Sequence, residues 1–150
     1  YAGENLDGLL SLEHKYRIYS LVIALEQRLS LKETHSFAEE LVLSLCEFDR
    51  QVNNGGFHQY LTNSSRQYAH RLAADLEAVG LANASQKVVE LLDLTGLPEA
   101  TLVEGCHDWL SSDFEDALEN FNNYYFAEVA DCSEPVWTWT KLHRKQIKIG

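Results

Sequence analysis

Two things are scarce in this 150-residue chain: cysteine, and over one long stretch, positive charge. Cys46, Cys106 and Cys132 are odd in number, widely spaced and without a CxxC pair, which excludes the disulfide framework of a small secreted domain and implies reduced thiols. No apolar run approaches the roughly 20 residues that a membrane-spanning helix needs. No basic segment followed by an apolar one opens the sequence, so a cytoplasmic protein without export signal or membrane contact is expected. Hydrophobic residues at 45% and aromatics at 11% exclude a wholly disordered chain. The length suits one domain over residues 1–150 with a single core.

From Val88 to Thr140 there are twelve acids and not one Lys or Arg. Residues 1–87 hold eleven acids against eight bases, and residues 141–150 add Lys141, Arg144, Lys145 and Lys148 with no acid. The net charge of −11 therefore belongs essentially to one third of the chain.

The hydrophobic periodicity is helical nearly throughout. Leu9, Leu12, Tyr16, Tyr19, Ile23 and Leu29 recur at mostly three- and four-residue steps and suggest a first long helical segment. Ser36 and Glu39 form an S-x-x-E capping box opening a second helix, with Phe37, Leu41, Leu45, Phe48 and Val52 as its apolar stripe. Tyr68, Leu72, Leu76 and Val79 mark another, closed by Gly80 in the C′ position. Leu91 and Leu92 belong to a short helix ending near Gly96. Pro98 suits the first turn of the next, which would bury Leu102, Cys106 and Trp109. Ser112 and Glu115 form a second capping box before Phe114, Leu118, Phe121, Tyr125 and Val129. Only the tail departs: EPVWTWTK alternates as a strand would, and KLHRKQIKIG reads as a strand or a fraying terminus. The expected fold is all-α, a single compact domain of six or seven helices with a short irregular or β-like C-terminal arm.

Asn53-Asn54-Gly55-Gly56 interrupts this helical sequence, directly before Phe57. Gly55 can take a positive φ cheaply and so close the preceding helix as a left-handed cap. Phe57, Tyr60 and Leu61 then stand at i, i+3 and i+4 and turn a short helix back into the core. A phosphate loop would require a preceding strand, more glycines and a lysine, and none is present. A helix–turn–helix reader of DNA must approach phosphates, for which only Arg50, Arg66 and Arg71 lie nearby.

The string VNNGGFHQYLTNSS, between a Glu/Leu-rich helix and a Leu/Ala-rich one, resembles the hallmark of the DNA-mimic-protein family. The resemblance is strongest over 50–66 and extends over about 35–130. It implies an all-helical domain, and, from the member that names the family, an acidic surface that imitates duplex phosphates and occupies a DNA-binding regulator. Asn53, Asn54, Gly55, Gly56 and Phe57 transfer as architectural positions; no binding residue is carried over.

The binding candidates come from charge alone. If Asp108 to Glu119 were one helix it would span roughly 16 Å. Its five acids would then give about one charge per 3–4 Å, near the ~3.4 Å per phosphate of a DNA strand. With Phe114, Leu118, Phe121 and Tyr125 buried, Glu115 and Glu119 fall on one flank, Asp113 and Asp131 on the other, and Asp116 opposite the core, while Glu128 sits near the core edge. Glu104, Asp108, Asp113, Glu115, Asp116 and Glu119 are thus the candidate surface, set against the alternative of an ordinary solvated acidic face.

Catalytic and metal chemistry find little support. Glu104 and His107 have the E-x-x-H spacing of di-iron bundles, but no second pair exists. Cys46, off the apolar stripe, reads as a half-exposed structural thiol, and a pairing with His58 would need contact and a third orienting group. Trp137 and Trp139 precede the basic tail and suggest a small interaction arm. The expectation is a non-enzymatic protein without cofactor or metal that does not bind nucleic acid directly. Its partner would be a basic DNA-binding protein such as a regulator, nucleoid protein or nuclease. An antitoxin-like blocker of one basic toxin is the alternative, and a homodimer remains open.

Overall fold

A computed structural model describes residues 5–95 and 112–150, with side chains for 5–94 and 114–150. Among the described residues there are seven α-helices and no strand: α1 (Leu6–Leu10), α2 (Ile18–Ser30), α3 (Phe37–Thr62), α4 (Ala69–Ala78), α5 (Ala82–Thr95), α6 (Ser112–Tyr124) and α7 (Ser133–Leu142). Short 3₁₀ turns occupy Ser64–Tyr68 and Arg144–Gln146, and a π-turn occupies Tyr125–Val129. The all-α expectation holds. The chain forms two compact units, residues 1–46 with 132–150 and residues 47–131.

In the first unit α2 packs on α7 and α1 on α2. The expected first long segment is broken: α1 ends at Leu10, turns occupy 11–15, and α2 starts at Ile18. The buried stripe of α2 is Leu21, Val22, Leu25 and Leu29, which rotates Tyr16 and Tyr19 to the surface at 58% and 55% exposure. The first capping box is present. Ser36 Oγ accepts from the Glu39 N–H at 3.2 Å, and Glu39 Oε2 accepts from the Ser36 N–H at 2.9 Å. Phe37, just inside that cap, is 73% exposed, and the stripe runs instead through Ala38, Leu41, Val42 and Leu45.

EPVWTWTK is helical, contrary to its strand-like alternation. Pro135 falls in the first turn of α7, where its missing N–H costs nothing, and Val136, Trp137 and Thr140 bury at i, i+1 and i+4. Trp137 and Trp139 are both buried, so neither offers a stacking platform; Trp139 instead stacks on His143 at 4.0 Å. The irregular arm is confined to the last residues. Ile147 and Ile149 bury, Arg28 donates to the Ile149 carbonyl, and Glu39 Oε1 accepts from the Lys148 N–H at 2.8 Å.

In the second unit α4 packs on α5 and α5 on α6. The Gly80 prediction holds: φ is +88°, and the Leu81 N–H reaches back to the Leu76 carbonyl at 2.9 Å, the six-to-one bond of a Schellman cap. Phe48 is the hub of the core, with edge-on contacts to Phe57, Tyr60, Phe121 and Tyr125 at 5.3–6.3 Å. Such pairs contribute ~0.5–1.5 kcal/mol each beyond the area they bury.

Candidate partner-binding surface

The surface is built on α6, and α6 is seated on the Asn-Asn-Gly-Gly-Phe corner. The corner is a break within α3, but the positive φ falls one residue later than expected. Gly55 has φ −150°, which any residue adopts, whereas Gly56 has φ +79° and ψ 178°. That region is essentially glycine's alone. Asn122 of α6 lies directly against it: a Cβ on Gly56 would meet Asn122 Nδ2 at 2.5 Å. Asn122 Oδ1 accepts the Phe57 N–H at 2.8 Å, and the Phe57 and Phe121 rings lie 5.0 Å apart. Asn53 and Asn54 are exposed, and Asn53 Nδ2 donates to the Asp49 carbonyl and carboxylate. Beside them Gln51 Oε1 accepts from Gln59 at 2.7 Å and from Asn63 at 2.9 Å, tying the two sides of the break together.

From this seat α6 buries Leu118 and Phe121 and exposes Glu115, Asp116 and Glu119. The three carboxylates lie within one helical turn, about one charge per 2–3 Å of axis, a density between the ~3.4 Å of a DNA strand and the ~1.7 Å of the duplex. Among the described residues none of the three has an ion-pair partner. Three of the four bases of this unit are engaged elsewhere: Arg50 with Glu47, Arg71 with Asp75 at 2.7 Å, and Lys87 over the Tyr124 ring at 4.8 Å. Burial, and then the Glu128 carboxylate, hold the Tyr124 phenol above its ordinary value, so the ring beneath Lys87 stays neutral.

Glu104 and Asp108 lie outside the described residues, as do the Glu104–His107 pair and the side chains of Asp113 and of Ser112, the cap residue of the Ser112–Glu115 box. Glu128 is exposed, not at the core edge. The π-turn at Tyr125–Val129 inserts one residue into the helical period and rotates the positions beyond it. Cys46 is buried, not half-exposed, and His58 is exposed. No group of three His, Cys, Asp or Glu side chains among the described residues is placed to hold a metal ion.

The two units differ sharply in charge. Residues 1–46 with 132–150 contain eight acids and eight bases, whereas residues 47–131 contain fifteen acids and four bases. The whole net charge resides in the unit that carries α6. The basic tail belongs to the neutral unit, where Lys141 pairs with Glu13 at 2.8 Å.

The family model described as DMP19-like protein matches residues 33–143. The chain belongs to the DMP19-like protein family. No curated protein and no solved structure matches it. The DMP19-like match begins two residues before the extent expected from the corner motif and ends thirteen later, so it takes in α7 as well. Both partners of the Gly56–Asn122 contact lie within it. The sequence signals the glycines plainly but Asn122 only faintly, as an amide beside Phe121 at the border of an otherwise apolar helix face.

Proposed function

We propose that this DMP19-like protein is a non-enzymatic interaction protein whose acidic unit occupies the basic groove of a DNA-binding protein. Glu115, Asp116 and Glu119 would stand in for phosphates, with Asp113 beginning the same helix and Glu104 and Asp108 preceding it in sequence. The observation that carries the reading is the excess of fifteen acids over four bases in residues 47–131, with three exposed carboxylates on one turn of α6 that have no ion-pair partner among the described residues. Ordinary surfaces intersperse both signs because like charges repel, so an unrelieved cluster is accounted for by a partner that supplies the missing cations. Binding would release the counterions gathered on the carboxylates and weaken steeply with salt, as DNA binding does.

The test is capture of proteins from the source cell's extract on the immobilised chain, eluted along a salt gradient with and without competing duplex DNA. A basic DNA-binding protein retained at low salt and displaced by duplex supports the reading. A single captured protein that duplex leaves in place contradicts mimicry and favours the antitoxin-like alternative.

A further inference from the structure

Between α5 and α6 runs a groove of about 200 Å³, walled by Leu91, Leu94, Ala117 and Phe121. Leu94 on its edge is 57% exposed, while Leu91 and Phe121 form a buried floor. An enclosed space of ~150 Å³ takes a benzene ring, and ligand pockets for drug-sized molecules run from ~300 Å³ upward. The groove therefore has room for one aromatic or one or two aliphatic side chains, not for a cofactor.

Its rims are acidic. Glu90 on α5 and Asn120 on α6 edge it, with exposed Asp93 one turn along from Glu90 and exposed Asp116 one turn back from Asn120. Among the described residues Glu90 accepts a neutral amide bond, from Gln86 at 3.3 Å, and no cation pairs with it. Lys87, held over Tyr124, is the single cation among the lining residues. A phosphate array has no apolar trough between its charges, so imitation of DNA leaves this groove unexplained.

We propose that the groove is the docking slot for a basic amphipathic helix of the partner protein. Apolar side chains at helical spacing would enter between Leu94 and Phe121, while flanking lysines or arginines meet Glu90 and Asp93 on one rim and Asp116 on the other. Charge complementarity selects this occupant, because an acidic or purely apolar helix would leave both rims unanswered. The inference rests on the acidic-surface reading and narrows its partner class: the partner must offer an apolar anchor as well as positive charge.

The test uses two synthetic helical peptides of about 16 residues with equal positive charge, one with leucines at i, i+3, i+4 and i+7, the other with glutamines there. Fluorescence anisotropy measures their binding to the full chain. The leucine peptide should bind about tenfold more tightly, the difference one well-seated anchor makes. Leu94→Gln and Ala117→Trp should bring the two peptides to within about twofold of each other, and Leu94→Gln alters a largely exposed side chain. Equal binding of the two peptides to the unaltered chain, or a preference that survives both groove substitutions, overturns the slot. A triple change of Glu115→Gln, Asp116→Asn and Glu119→Gln should weaken both peptides alike. If it leaves both unchanged, the acidic-surface reading falls with it.

Discussion

Asn122 accepts a hydrogen bond from the Phe57 backbone N–H at 2.8 Å while its amide covers Gly56. One side chain thus joins the corner motif to the helix that displays the acidic turn. The motif removes a Cβ so that α6 can approach.

The two corner glycines should therefore respond differently to alanine. Gly56→Ala forces φ +79°, ψ 178° on a residue with a Cβ and drives that Cβ into Asn122, a cost of at least about 1–3 kcal/mol. At Gly55 φ is negative, and the new Cβ meets the Gln59 side chain, its Oε1 at 1.9 Å and its Cβ at 3.0 Å. Swinging Gln59 aside loses its bond to Gln51, about 0.5–1.5 kcal/mol. Urea midpoints at constant m-value order the two variants, and equal losses would remove the close-approach argument.

Asn122→Ala leaves the partly buried Phe57 N–H without its acceptor, costing about 1–3 kcal/mol, whereas Asn122→Asp keeps an acceptor oxygen and costs less. Hydrogen exchange gives the sharper check. Faster exchange of the Phe57 amide in the alanine variant, restored in the aspartate variant, is the expected pattern.

Glu39 links stability to pH. Its burial opposes ionisation, but Lys32 at 2.5 Å and the N–H groups of Lys148 and Ser36 overcome this and hold its carboxyl below the ordinary 4.5. A depressed folded pKa means that the stabilisation is fully present above about 4.5 and fades as pH falls through the lower folded value. Unfolding free energies measured from pH 7 downward should decline in that window. Glu39→Gln should be less stable at neutral pH and lose less on acidification.

Ala130 comes after the π-turn with φ +64° and ψ −57°, in a tight turn closed by the Asp131 N–H on the Val129 carbonyl at 2.8 Å. Such a γ-turn is strained for alanine. Relief of about 1–3 kcal/mol of strain exceeds the ~0.4–1 kcal/mol entropic cost of glycine, so Ala130→Gly should raise the melting temperature by a few degrees. A lowered melting temperature would contradict the strain argument.

Much of the fold is legible in the sequence where local chemistry decides. The Ser36–Glu39 box and the Gly80 cap form as their residues dictate, because each is satisfied within a few positions of chain. Legibility fails where distant contacts decide. EPVWTWTK has strand alternation, yet burying Val136, Trp137 and Thr140 on one face requires a helix. Tyr16 and Tyr19 fit a helical period and still lie outside the core, since the chain turns between α1 and α2. Glu128 is displaced by a π-turn that composition does not signal. For the candidate surface, the charge asymmetry is plain in the sequence. The groove between α5 and α6 and the seat at Asn122 depend on pairing residues more than twenty positions apart.

The central claim is that the carboxylates of α6 compete with phosphates for the same cations. It is tested most directly by equilibrium competition, in which a labelled duplex bound to the captured DNA-binding partner is titrated with the unaltered chain and with the triple amide variant at several salt concentrations. The account predicts that the unaltered chain displaces the duplex, less effectively as salt rises, and that the variant remains folded but displaces it at least about tenfold less well. Equal displacement by the two proteins would contradict it.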